Sequence, residues 1–230
     1  ATEYRMQRGR DHWIVFGGPR ASWIDPSAGP IRTTNLFPSH GAVEGILRQI
    51  MGKWAVRWHT SEIRLLAMST ERLVETTNAL KRFSSSLKRD RQMAAPITSE
   101  QRHTQRTQDY LLDVHYAVRS HMVLSSRAIP GEDTIPKFEA IFERRASKGR
   151  RYRSMYLGCS ECYADYEVVK DPPPALDITQ VLGIRYFDTW WDENPAKLYY
   201  VPLQVKHGVV RLPTWDEARA QGLSRRRRFV

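Results

Sequence analysis

Cysteine is nearly absent: Cys159 and Cys162, spaced CxxC, are the only two in 230 residues. A structural zinc site takes four ligands, so one CxxC is half of one. His115 and His121 are the candidates to complete it, since both fall on one face of an alternating strand. A pair of buried thiols is the commoner outcome. No βαβ pattern frames the motif, so thiol redox catalysis is not expected. No apolar run approaches the roughly 20 residues of a membrane span, and no signal-peptide apolar stretch precedes a small-residue cleavage site. The expectation is a cytoplasmic protein away from membranes, with no metal and no cofactor. Helix-turn-helix, zinc-finger and dimerising heptad patterns are missing as well, which argues against a DNA-binding regulator. No internal repeat is visible.

Cations are plentiful. Lys and Arg total 36 against 25 Asp and Glu, a net charge of +11 with a pI near 9.9. Such a balance favours nucleic acid or another anionic surface as partner and says nothing about fold. Hydrophobic residues make up 41% and aromatics 10%, enough for a full core in one large domain or two small ones.

The most informative stretch is 137–166, KFEAIFERRASKGRRYRSMYLGCSECYADY. Thr134 is positioned to cap a helix, and Gly149 to end it in the left-handed conformation that other residues avoid. Phe138, Ile141 and Phe142 recur at helical spacing and should face a core. Lys137, Arg144 and Lys148 share a narrow sector beside that face, and Arg150, Arg151 and Arg153 follow past the stop. A row of cations edging an apolar helix face and continuing into a turn suits a phosphate backbone. The competing reading is an ordinary solvated helix face. A strand should follow the basic turn.

Elsewhere, residues 1–12 read as a polar, frayed or added leader, 13–16 as a short strand and 20–38 as a long loop. Ser39 caps a helix running to about Met51 with Val43, Ile46, Leu47 and Ile50 as its apolar stripe. Gly41 and Ala42 allow close approach, while Arg48 lies off the stripe and Lys53 follows it. Two strands are expected near 55–58 and 62–68. Residues 69–107 read as a basic projection that orders on RNA or on a neighbouring subunit, with a short helix near 72–82. Residues 110–124 give the strongest strand: Leu112, Val114, Tyr116, Val118, Met122 and Leu124 on one face, Asp113, His115, Arg119 and His121 on the other. A sheet with one packed and one basic, histidine-bearing face is what RNA-binding sheet modules use; the alternative is a face that simply meets solvent. After Pro172-Pro173-Pro174, three short strands are expected at 184–190, 198–205 and 209–212, turning at His207-Gly208, then a brief helix at 214–220 and a basic run at 225–228.

This order predicts an α+β fold, a ferredoxin-like (RRM-like) core with helices on one face of an antiparallel sheet. The expected division is a domain at 1–170 carrying the insertion at 69–107, and a small β appendage with a basic tail at 171–230. Arg48, Lys53, His115, Arg119, Lys137, Arg144, Lys148, Arg150 and Arg151 are the expected RNA contacts.

Several segments together resemble the CRISPR-associated Cas5 family in its type I-C (Dvulg) subtype. SHGAVEGILRQI resembles its glycine-centred helix and YLLDVHYAVRSH its central strand. FERRASKGRRYRSMYLGCSEC resembles its arginine-rich helix and following segment, and GVVRLPTWDEA its closing strand and turn. The resemblance runs from about Trp13 to Ala218. It implies a subunit of the Cascade surveillance complex that holds the repeat-derived 5′ handle of CRISPR RNA. Its partners would be CRISPR RNA, the Cascade backbone and large subunits, and target DNA within the complex. It also implies metal-independent cleavage of precursor RNA through the ribose 2′-hydroxyl, which takes a base, an acid and a cation. Of the family's Tyr, Lys and His set, only the lysine carries over, as Lys137. Met51 stands at the tyrosine position and Phe138 at the histidine, and neither transfers a proton. His40, His59 and His115 are the candidates for a substitute base. Two functions therefore compete, an RNA-holding subunit and an endoribonuclease.

Overall fold

The computed structural model describes residues 8–26, 31–80, 103–191 and 196–226. Most of the leader, most of the expected basic projection (81–102) and the end of the basic run (227–230) lie outside the described residues.

Four antiparallel strands form the centre: β1 (His12–Ala21), β3 (Val56–Ala67), β5 (His103–Leu124) and β6 (Asp165–Val169), in the order β3-β5-β1-β6. Helix α1 (His40–Ile50) lies in the chain between β1 and β3, and α2 (Ile135–Ala146) between β5 and β6. A short β2 (Ile31–Arg32) pairs in parallel with β5. The alternation read in β5 holds from Val114 onward, where Val114, Tyr116, Val118 and Met122 are fully buried; before Asp113 it shifts by one, so that Leu111 and not the expected Leu112 lies in the core. Through the register those four meet Ile14 and Phe16 of β1 and Trp58, Ile63 and Leu65 of β3. The helices cover that cluster with Val43, Ile46, Leu47 and Ile50 from α1 and Phe138 and Phe142 from α2.

Local chemistry explains the boundaries. The Ser39 hydroxyl accepts from the Ala42 N–H at 3.2 Å and starts α1. Thr134 occupies the N-cap of α2 but makes no side-chain capping bond there. Gly149 does take the left-handed conformation, at φ 58°. Around it the Arg150 N–H reaches the Arg145 carbonyl at 2.9 Å and the Gly149 N–H the Ala146 carbonyl at 3.0 Å. That pair of bonds is the Schellman arrangement, which satisfies carbonyls that a helix end leaves unpaired.

Three expectations are corrected. The strands at 55–58 and 62–68 are one strand, β3, whose register slips between Thr60 and Glu62. A bulge absorbs one residue without ending the ladder, so the break in alternation looked like a gap. The helix expected near 72–82 is instead a strand, β4 (Arg72–Leu80), paired antiparallel with residues 103–111 of β5. Its Val, Thr and Leu residues suit a pleated surface. β5 itself extends well before residue 110. It changes partner from β3 to β4 around Asp113, which sits at φ 50°.

The chain after Pro174 supplies β7 (Gln180–Trp190), β8 (Lys197–Lys206), β9 (Val209–Arg211), α3 (Trp215–Gln221) and β10 (Leu223–Arg226). His207 and Gly208 turn between β8 and β9 with φ of 49° and 72°. β9 pairs with β3, so these strands continue the same hydrogen-bonded sheet. Thr214 and Glu217 form a reciprocal capping box at the start of α3.

Phe142 ties α2 to the sheet, fully buried against Trp58 (4.9 Å between ring centroids) and His12 (5.2 Å). Phe142→Ala should lower the unfolding free energy by about 3–5 kcal/mol, through lost transfer energy plus a cavity. A urea titration checks this: the midpoint falls while the slope is unchanged.

Candidate nucleic-acid interface

The last turn of α1 and the basic turn after α2 are strapped together. The Gln49 carbonyl accepts the N–H groups of Tyr152 (2.7 Å) and Arg153 (3.1 Å). The Gln49 side-chain oxygen accepts the Tyr156 N–H at 3.1 Å, and the Arg145 guanidinium donates to the Ile50 carbonyl at 3.1 Å. Orphan carbonyls at a helix end need such partners. Here they come from an arginine-rich segment, so cations are delivered to the end of α1.

Between them lies a groove of about 490 Å³ lined by Arg48, Gln49, Trp54, Tyr152, Arg153 and Tyr156, among others. Its floor includes Gly45, where an added Cβ would meet nothing within 4 Å. Arg48 lies 4.7 Å from the Trp54 ring centroid, Arg127 5.2 Å from the same ring, and Arg153 5.4 Å from that of Tyr152. Such cation–aromatic contacts hold guanidiniums in place while leaving their N–H donors available. A second groove of similar size meets the first at Ala42 and Gly158 and carries Arg72 and Arg185. Gly158, at φ 88°, packs closely on the Ser22 backbone at this junction, since a Cβ there would come within 1.9 Å of the Ser22 carbonyl oxygen.

The expected contact residues divide among three places. Arg48 lines the first groove, and the exposed Lys53 adjoins its rim at Gly52 and Trp54. Arg144, Lys148 and Arg150 are exposed at the end of α2, beside that turn. Arg151 is engaged, donating to the Ala164 carbonyl at 3.0 Å and pairing with Asp165. His115 and Arg119 alternate with the core residues of β5 and so lie on the opposite sheet face; there His115 covers Gly17, and Arg119 sits 5.8 Å from the Trp13 ring centroid. Lys137 stands at the other end of α2, its ammonium on the Asp133 carboxylate (3.1 Å) and the Glu132 carbonyl (3.0 Å). Trp54, Arg127, Tyr152, Arg153 and Tyr156 were not anticipated as a set. For Tyr152, Arg153 and Tyr156 the signal was aromatic residues interleaved with the cations of RRYRSMY; Trp54 and Arg127 join them only through the fold.

Met51 and Phe138 are core residues, 1% and 3% exposed. Of the histidines considered as bases, His40 and His59 are buried and bonded to each other, His40 Nε2 to His59 Nδ1 at 3.2 Å. His40 Nδ1 meets the Asp188 carboxylate at 2.8 Å. Glu44 joins them to make the one group among the described residues with ligand atoms close enough for a cation. Its members are already paired, since Glu44 accepts from Arg57 at 3.1 and 3.3 Å. Neither cysteine belongs to that group; burial pushes Cys162 up to about 12 and raises Cys159 too.

The model of the CRISPR-associated protein (Cas_Cas5) family, Cas_Cas5d, matches residues 15–212. The CRISPR pre-crRNA endoribonuclease Cas5d of Thermus thermophilus is 30% identical over 184 residues, covering 80% of this chain and 75% of the relative. The protein of that name from Mannheimia succiniciproducens is 26% identical over 185 residues, 75% of this chain and 81% of the relative. A crystal structure described as a CRISPR-associated protein shares the fold, with a TM-score of 0.69 at 21% identity, over 93% of this chain and 97% of that one.

Burial holds His59 neutral, down to about 3, with His40 and His121 beside it adding to the effect. Burial likewise lowers His12 and His121, although Asp11 lies 3.4 Å from the latter. The unfolded chain takes up these protons below about pH 6.5 and the folded chain does not, so acid favours unfolding. Stability should be full above pH 6.5 and fall below it, by about 1.4 kcal/mol per pH unit for each histidine held neutral. Urea midpoints between pH 7.5 and 5.5 measure the slope, and His59→Gln should make it shallower.

Proposed function

The chain belongs to the CRISPR-associated Cas5 family, and from that premise we propose that it is a CRISPR RNA-binding subunit of a type I-C-like Cascade complex. It holds the repeat-derived 5′ handle and contacts the backbone and large subunits, with target DNA engaged in the assembled complex. The observation that carries this reading is the groove at the end of α1, where guanidiniums and exposed aromatic rings share one cleft. Cations neutralise phosphates irrespective of sequence, and aromatic faces accept unpaired bases. The strand order β6-β1-β5-β3, with one helix in each crossover, supports a ferredoxin-like reading of the core.

A second reading, metal-independent endoribonuclease, is favoured by the activity in the names of both relatives. In that reaction the 2′-oxygen bonds to phosphorus as its proton passes to a base. The bond from phosphorus to the 5′-oxygen breaks as that oxygen takes a proton, leaving a cyclic phosphate. Lys137, the residue assigned by resemblance, would stabilise charge on the phosphorane. The groove offers the phenols of Tyr152 and Tyr156 beside Arg48 and Arg153.

End-labelled repeat RNA incubated with the purified protein in EDTA tests both readings side by side. Binding should weaken linearly with log salt, and Arg48→Ala and Arg153→Ala should each flatten that slope by about 0.7. Binding that ignores salt and both variants would sink the RNA-holding reading. Cutting that Lys137→Ala abolishes while binding persists would establish the nuclease. Cutting lost in Tyr152→Phe instead would move the chemistry into the groove.

A further inference from the structure

Trp54 is 66% exposed, yet its backbone is held firmly. Its carbonyl accepts the Ser125 hydroxyl at 2.6 Å, and the neighbouring Ala55 carbonyl accepts the Ser125 N–H at 2.9 Å. The indole contributes little to the core, since one of that size would stabilise the fold far more if buried. It sits on a fixed turn between α1 and β3, with Arg48 and Arg127 against its ring. At the same rim the Tyr152 ring, 55% exposed, lies against Gly52, where a Cβ would come within 2.8 Å of the ring. Gly45 carries no side chain into this space, where a Cβ would meet nothing within 4 Å, so a flat ring entering the groove reaches two largely exposed aromatic rings with Arg48 and Arg127 beside the indole.

We infer that Trp54 is the stacking seat for one unpaired nucleobase of a single-stranded RNA, with Arg48 and Arg127 placed for the phosphates on either side of it. This rests on the RNA-binding reading above and adds to it a ligand class: a strand with a free base, not a paired stem. A base in a duplex has both faces covered by its neighbours and has none to offer the indole. A phosphate-only contact, in contrast, would not select between the two.

A double-mutant cycle tests the inference in the full chain. Single-stranded repeat RNAs, each lacking the base at one position in turn, are titrated by fluorescence anisotropy against the wild type, Trp54→Ala and Trp54→Phe. Trp54→Ala should weaken binding of intact RNA roughly tenfold or more, and Trp54→Phe should recover part of the loss. One base-free position should cost the wild type a similar factor and cost Trp54→Ala nothing, because the contact is already gone. Fully paired RNA of the same sequence should be indifferent to Trp54. Base removal that costs wild type and Trp54→Ala equally at every position overturns the inference while leaving RNA binding intact. An indole that serves a protein partner gives that result. Wild-type protein that binds none of the RNAs overturns the underlying reading as well.

Discussion

Four carbonyl oxygens at the end of any α-helix have no partner within it. In α1 the groove exists because of how two of them are satisfied. The Gln49 and Ile50 carbonyls are met by donors from the segment after Glu143, the N–H groups of Tyr152 and Arg153 and the guanidinium of Arg145. Hydrogen bonding of a short helix thereby fixes where an arginine-rich turn lies. The turn brings Tyr152, Arg153 and Tyr156 to within reach of Arg48 and Trp54, which α1 and its following turn already present. Loss of those bonds would leave charged residues on a loop with no defined partner surface.

The other end of α1 is fixed by buried charge. Asp188 of β7 reaches His40 at the first position of the helix, and Gly41 is required beside it, since a Cβ there would lie 2.4 Å from the Asp188 carboxylate. The close approach expected at Gly41 is thus made by the protein itself. Around this contact Trp215 of α3 packs edge-on against Phe187, Trp190 and Tyr199, while Arg57 and Arg219 lie near the Trp190 and Trp215 rings. A buried carboxylate is tolerable when paired and bonded, and Asp188 has both His40 and the Thr189 N–H. The strands after Pro174 are therefore coupled to the same helix that floors the groove.

Features set by neighbours in sequence were legible. Helix α1, the inward face of β5, the left-handed Gly149 and the His207-Gly208 turn follow from periodicity, capping and glycine's freedom. What depends on residues far apart was less so. The apolar set of β4 is weak alone and becomes a strand because residues 103–111 of β5 lie beside it. Arg48 was recognised as a cation, but its meaning comes from Trp54 and from a turn about a hundred residues later. His40 and His59 read as exchangeable bases in the sequence and are in fact locked into a buried pair. Lys137 shows the limit from the other side: motif alignment assigns it, yet its ammonium has local partners in Asp133 and Glu132.

The reach of β5 also has a consequence for synthesis. His12 pairs with Ser120, so β1 leaves the ribosome long before β5, the earlier of the two strands that flank it. At about 5–20 residues per second that interval is roughly 5–20 s. Throughout it, Ile14 and Phe16 lie on an unpaired edge, the kind of surface on which nascent chains associate wrongly. The ladder between the first strand and the fifth is thus one that only a largely synthesised chain can form.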